Sequence, residues 1–293
     1  MAFSTTVKDA LNRALSGTNL QLETLTASRR EEARIERLKA GGQFDRAVFP
    51  VPEAFAKASV SEILSALPQY HARFDTFRNP SANDVGYCFA NDYFRAPDAE
   101  VFYTLIRTLR PERIIEIGSG NSTRIARQAI RDGELKTHLI SIDPQPRSEI
   151  DSLADECVRQ PVEQTDPALF DTLHAGDFLF IDSSHEVRIG NDGAFLYGIV
   201  MPRVAAGVIV HIHDIFLPYD YPAELFELGA LEWNEQYLVQ AMVALGGGFE
   251  VLWPGYFIQR TRADFASLFP HNGGERAQSL WLRKVAAPWA GEQ

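Results

Sequence analysis

The sequence predicts an α/β fold: a Rossmann-like, doubly wound sheet, mostly parallel with an antiparallel last strand, preceded by a helical N-terminal extension. Four short apolar runs, Ile114–Ile117, Leu139–Ile142, Phe178–Ile181 and Val208–Ile212, alternate with helical stretches. Strands buried on both faces and joined by helical crossovers have this rhythm. Two later runs, Phe249–Trp253 and Ser279–Val285, have no long helix between them, which suits an antiparallel close. The chain has 293 residues, enough for one large or two small domains without a metal or disulfide staple.

Composition narrows the class. Lys and Arg number 28 against 39 Asp and Glu, a formal net charge of −11. Nucleic-acid affinity comes from cations on phosphates, so no nucleic-acid partner is expected. Two cysteines far apart, Cys88 and Cys157, make neither a disulfide framework nor a zinc pattern and fit a reducing cytoplasm. The N-terminus, MAFSTTVKD, lacks the charged and apolar regions of a signal peptide. No apolar run approaches the roughly 20 residues of a membrane helix, so no membrane partner is expected.

Residues 22–40 interleave Arg and Glu at helical spacing, and Gly41-Gly42 ends the helix they predict. A second helix is expected over 52–66, with Phe55, Ala58, Ile63 and Leu64 toward one face. Asn79 through Gly86 is dense in turn formers. Residues 98–109 read as a helix with Asp98 as N-cap. The texture divides the chain into a helical extension, 1–87, serving as lid or dimer contact, and a sheet domain, 88–293. A last helix is expected near 232–245, before Gly246-Gly247-Gly248.

Ligands of open parallel sheets bind beyond the carboxyl ends of the strands. After the first run stands Glu116-Ile117-Gly118-Ser119-Gly120-Asn121-Ser122-Thr123. Its glycines allow a tight turn and close backbone approach, and Asn121, Ser122 and Thr123 can cap the next helix. Thr123 stands where a dinucleotide fingerprint has its third glycine, so a carboxylate fits better than a pyrophosphate. Asp143 follows the second run, 23 residues beyond Gly120, where nucleotide folds hold a ribose diol. Asp182-Ser183-Ser184-His185-Glu186 follows the third run and His211-Ile212-His213-Asp214 the fourth. Residues two apart on a strand share a face, which puts His211 and His213 together. Aspartate beside histidine at two strand ends suits a general base or a metal site. The loop 215–222, with Phe216, Tyr219 and Tyr221, is read as a substrate wall or a packed surface loop. Trp233-Asn234-Glu235-Gln236-Tyr237 opens the following helix, either as polar contacts or as a plain helix start.

These segments, in this order, resemble the class I S-adenosylmethionine-dependent methyltransferases, most of all the small-molecule branch of macrocin O-methyltransferase-like and cephalosporin-hydroxylase-like proteins. The resemblance spans about 88–285 and rests on IIEIGSGNST, ISID, FIDSSH and HIHDIF. It implies S-adenosyl-L-methionine as cofactor. Glu116, Gly118, Ser119 and Gly120 would hold its methionine part, with Asn121 or Ser122 at the carboxylate. Asp143 would take the ribose, and Asp182 with Ser183 would lie beside the methyl sulfonium. Asn91-Asp92-Tyr93-Phe94 resembles the segment that folds over the cofactor. In metal-dependent relatives, acidic residues at the fourth and fifth strand ends bind magnesium. Asp182 and Asp214 stand there, but His213-Asp214 replaces an acidic pair, so Mg2+ and a metal-free route with His185 or His213 as base both stay open.

The function expected is methyl transfer to a hydroxyl of a small molecule, with Asp182, His185, His213 and Asp214 as the catalytic group. Phe216, Tyr219, Tyr221 and Tyr237 would bind the acceptor, and the N-terminal helices would join a homodimer. The alternatives are N-methylation of an amine, an NAD-type oxidoreductase, a metal-dependent hydroxylase-like or hydrolytic enzyme using His-x-His-Asp, and a non-catalytic cofactor-fold protein.

Overall fold

The computed structural model describes residues 3–22, 25–79, 85–147, 149–227 and 232–287. Two compact units divide between Arg46 and Ala47. In the first, helices span Phe3–Ala14 and Thr26–Ala40. The first of these was not foreseen; the second begins later than expected, and residues 23–24 of its expected span lie outside the described residues. Asn12 pins the intervening segment, accepting from Leu22 N at 2.7 Å and donating to Leu22 O at 2.8 Å. The second helix ends as its glycines predict: Gly41 N donates to Arg37 O at 3.0 Å, and Gly42 takes φ +68°.

The second unit holds a seven-stranded sheet: β1 (Arg113–Ile117), β2 (His138–Ile142), β3 (Glu156–Val158), β4 (Phe178–Ile181), β5 (Ile209–Ile212), β6 (Phe249–Pro254) and β7 (Leu280–Lys284), in the order β3-β2-β1-β4-β5-β7-β6. The first five strands run parallel and β7 runs antiparallel to both β5 and β6, as the apolar runs predicted. Strand β3 was missed. At three residues it is too short for a pattern, and it is recruited by Val158, which pairs with Ile142.

Alternation along the strands builds two core layers. Ile114, Phe178 and Phe180 face the helices Asp98–Leu109 and Asn121–Asp132, through Phe102, Ile106 and Ile125. Ile115, Leu179 and Val210 face Leu196, Val200, Val204 and Val239 on the other side. The first layer also takes in Ile63, Leu67, Phe74, Phe77 and Tyr87. Residues 47–87 therefore belong to the sheet unit, and the boundary expected at 87/88 is corrected to 46/47. Their aromatic rings carry the attachment: Phe74 and Phe77 both meet Tyr103, at 5.4 Å and 6.0 Å between centroids.

Two local expectations change with this packing. The helix expected over 52–66 breaks into Glu53–Ala56 and Val60–Ala66. At the break, Ser59 N donates to Val251 O at 3.1 Å and Ser59 Oγ to Glu250 Oε1 at 2.8 Å, bonds to β6 that compete with a continuous helix. Asp98 is the first helical residue rather than the N-cap, which is Pro97. Its buried carboxylate instead accepts from Gln278 N at 2.8 Å and Ser279 N at 3.1 Å, fixing the entry to β7. Of the turn-rich stretch Asn79–Gly86, residues 80–84 lie outside the described residues. No helix among the described residues is long and apolar enough to cross a membrane.

Candidate active site

The ends of β1, β2, β4 and β5 meet at one edge of the sheet, and the backbone there is tightly constrained. Gly118 has φ +77°, and a Cβ on it would stand 2.1 Å from Asp182 O. Only glycine lets the β1 turn pass this close to the end of β4. Gly118 N donates to Ile142 O and Asp182 N to Ile117 O, both at 3.0 Å, locking the three strand ends in step.

The turn is tied to β2 by a side chain. Asp143 Oδ2 accepts from Ser119 N and from Ser119 Oγ, both at 2.9 Å. The expected helix cap falls on Thr123 rather than on Asn121 or Ser122. Thr123 Oγ1 accepts from Gly120 N at 3.0 Å and donates to Glu116 Oε2 at 2.6 Å. Asn121 instead donates to Asn91 Oδ1 at 3.1 Å, which sets Asn91–Phe94 against the turn. Glu116 is 1 % exposed, and burial pushes its carboxyl up to about 8 despite the pull of Thr123 and Ser122. Glu116 Oε1 and the Oγ of Ser183 are buried with no hydrogen bond of ordinary geometry.

The acidic and histidine side chains converge beyond β4 and β5. His185 Nε2 lies 3.1 Å from Asp214 Oδ2 and 3.5 Å from Asp182 Oδ1. His213 Nδ1 stands 3.6 Å from Asp214 and 3.7 Å from Asp182. His185 and Asp214 both sit in the left-handed region, at φ +61° and +55°, which costs each roughly 1–2 kcal/mol against ordinary backbone. Burial alone would favour neutral rings, but Asp214, with Asp182 and Glu235, holds His185 well above its ordinary range. His213 rises to about 9, against burial, through Asp214 and Asp182. Asp182 would be raised by burial, yet His213 and His185 keep it well below the usual carboxylate range.

His211 shares the face of His213 as expected, with ring centroids 5.6 Å apart, but does not join the cluster. It stacks on Phe180 at 3.9 Å, bonds Ser279 Oγ at 2.9 Å, and burial drives its pKa well below the ordinary value. It is a neutral core residue, so the His-x-His pair does not act as one metal-binding unit.

The magnesium implied by the metal-dependent relatives fits these residues poorly. Magnesium takes near-octahedral oxygen donors, usually one or two carboxylates with several waters. Here an imidazole nitrogen lies against both carboxylates and a second borders them, a mixed set that suits other ions better.

The aromatic residues named for the acceptor are placed unevenly. Phe216 and Tyr221 are each 1 % exposed and pack with Tyr256, Tyr219 and Trp233 in a cluster of their own. Tyr221 Oη accepts from Gln236 N at 3.0 Å. Tyr237 is 40 % exposed and donates to Asp220 Oδ1 at 2.8 Å. Three residues escaped the sequence reading in their actual roles. Trp233 lies 4.3 Å from the His185 ring, and Glu235 bonds His185 on one side and Tyr197 on the other. A lone acidic residue opening the helix EQYLVQAMVAL was the signal that could have marked Glu235.

Residues 115–215 match the family model described as a methyltransferase domain. That span runs from β1 through β5 and holds Glu116, Asp143, Asp182, His185 and Asp214. No curated protein matches the chain. Among solved structures, the SAH-bound methyltransferase PaMTH1 of Podospora anserina is 15% identical, covers 92% of this chain and 99% of its own, and has a TM-score of 0.42. The O-methyltransferase of Bacillus cereus in complex with SAH is 13% identical over 77% of this chain and 91% of its own, with a TM-score of 0.43. The SAH form of cmcI-N160 is 18% identical over 70% and 88%, with a TM-score of 0.37.

Proposed function

We propose that the chain, whose residues 115–215 match the model of a methyltransferase domain, is a methyltransferase that moves the methyl group of S-adenosylmethionine to a hydroxyl of a small-molecule acceptor. One observation carries the reading: the glycine turn, Asp143 and the Asp182–His185–Asp214 group form one unbroken chain of contacts along a single sheet edge. The cofactor's fit is supported by the close approach at Gly118 and by buried polar atoms of Glu116 and Ser183 that make no hydrogen bond of ordinary geometry.

S-adenosylmethionine supplies a methyl group made electrophilic by a positively charged sulfur. Asp182, kept ionised by His213 and His185, would face that charge. With the positive charge provided there, His185 no longer has to supply it and can stand neutral, with Nε2 open. The acceptor's O–H bond breaks: its electron pair forms the new O–CH3 bond, and its proton goes to His185 Nε2 beside Asp214. The pair of the broken S–CH3 bond stays on sulfur. The charge that leaves sulfur thus reappears on the imidazole, and the net charge of the buried group does not change. Little solvent has to reorganise, and orientation of this kind is worth roughly 7–11 kcal/mol, with the base adding about 10²–10⁴-fold.

Calorimetric titration with S-adenosylhomocysteine, with NAD as control, tests the cofactor; a screen of hydroxyl and amine acceptors with labelled S-adenosylmethionine tests the transfer. Micromolar binding of the nucleoside, silence with NAD and label in ether products are expected. No binding of S-adenosylhomocysteine, or label only in amines, would overturn the corresponding half.

A further inference from the structure

Glu235 lies outside the matched span 115–215 and is 1 % exposed. A buried carboxylate is costly unless its oxygens are occupied. Both are. Oε2 faces His185 Nδ1 at 3.0 Å, and Oε1 accepts from Tyr197 Oη at 2.8 Å. The same helix start holds the His185 backbone, whose carbonyl accepts from Asn234 N at 3.0 Å and Glu235 N at 3.1 Å. Trp233 covers the ring, and Tyr197 stands on the π-helical turn Leu196–Val200, a local irregularity often found at functional sites.

This arrangement fixes an imidazole. A carboxylate only accepts, and one faces each ring nitrogen, Glu235 at Nδ1 and Asp214 with Asp182 at Nε2; the neutral ring that the proposed reaction needs keeps its proton on Nδ1, against the acid that Tyr197 braces, and gives up the one on Nε2. We propose that Glu235, braced by Tyr197, is a positioning residue for the transfer: it sets the tautomer and aim of His185 and steadies the ring once it gains the acceptor's proton. The inference rests on His185 being the base of the proposed reaction. It follows the logic by which a buried acid orients the histidine of hydrolytic triads.

The test uses the full chain with ring-¹⁵N histidine. In the presence of S-adenosylmethionine and no acceptor, the wild-type His185 spectrum should show a protonated, hydrogen-bonded Nδ1 and a bare Nε2. In Glu235→Gln the amide can donate to Nδ1 while its oxygen still accepts from Tyr197, so the spectrum should switch to the opposite tautomer. Glu235→Asp should recover the wild-type pattern. With the acceptor that the screen returns, Glu235→Gln should lower kcat about 10²–10⁴-fold, with the cofactor KM changed by less than about threefold. An unchanged His185 spectrum in Glu235→Gln, or a loss confined to KM, would overturn the proposal, as would full recovery of Glu235→Gln turnover by added zinc or manganese. Where Glu235→Gln does not fold, Tyr197→Phe reads the same resonance, and an unmoved Nδ1 signal overturns the proposal. Calorimetry with S-adenosylhomocysteine reads cofactor binding of the same variants separately, so failure of cofactor binding remains distinct from failure of the Glu235 assignment.

Discussion

Replacing Glu116 by glutamine should make the ligand-free protein more stable at neutral pH and less stable in acid. In the fold, burial raises this carboxyl from about 4.5 to about 8. The native state therefore keeps a proton that the unfolded chain gives up between these two values. The sign follows: the contribution of Glu116 to stability is greatest below pH 4.5 and declines as pH rises toward 8. At about 1.4 kcal/mol per pH unit, the wild type at pH 7 carries a penalty of about 3 kcal/mol that Glu116→Gln does not. Against this, the amide must bury an N–H₂ where Glu116 Oε1 has no partner of ordinary geometry, which costs about 1–2 kcal/mol. The variant should thus gain about 1–2 kcal/mol at pH 7, a rise in Tm of roughly 2–6 °C for a domain of this size. Near pH 5 the penalty of the wild type has mostly gone, and the order should reverse. Thermal unfolding of both proteins from pH 5 to pH 8 measures the crossing. A Tm difference that stays constant over this range would refute the assignment of a buried, proton-retaining carboxyl. The same variant should bind S-adenosylhomocysteine more weakly, a gain in stability at the expense of function.

Other substitutions probe the remaining links. Asp143→Ala should raise the S-adenosylhomocysteine Kd by about 10–100-fold, the scale of lost hydrogen bonds to a charged group, with an unchanged circular dichroism spectrum; an unaltered Kd would remove Asp143 from the cofactor site. Gly118→Ala should destabilise the protein by about 2 kcal/mol or more, since its φ is +77° and the new Cβ meets Asp182 O; a folded variant with wild-type Tm would contradict the close approach. His213, raised from 6.5 to about 9, contributes stability that is complete below pH 6.5 and lost as pH rises through 9. The Tm gap between wild type and His213→Gln should therefore be widest near pH 6 and close toward pH 10, and a gap that widens instead would reverse the charge assignment. Millimolar magnesium should leave the Tm unmoved, because a ligand that does not bind the native state adds nothing to it; a clear rise would show that the mixed donor set accepts the ion after all.

Much of the sheet was legible because its code is local. Phe178–Ile181 is apolar on both faces and Ile114–Ile117 is so but for Glu116, and that suffices to place β1 and β4 to within a residue. The glycine turn was legible for a similar reason: few residues other than glycine tolerate the backbone that Gly118 adopts. Strand ends locate a ligand edge in any open parallel sheet, so Asp143, Asp182 and Asp214 could be named from their places in the order.

What the sequence by itself determined was the layered architecture and the edge at which chemistry happens, since periodicity and turn chemistry act over a few residues. Only the tertiary structure decided which side chains meet there. His211 and His213 are indistinguishable as a motif, yet one is sealed against Phe180 and Ser279 while the other borders two carboxylates. Glu235 lies 50 residues from His185 and gains its meaning only where the fold brings them within 3.0 Å. Likewise residues 47–87 look like an appendage until Phe74 and Phe77 are seen buried in the core beneath the sheet. Burial and long-range contact set the charge, tautomer and aim of a side chain, and neither is written in the residues beside it.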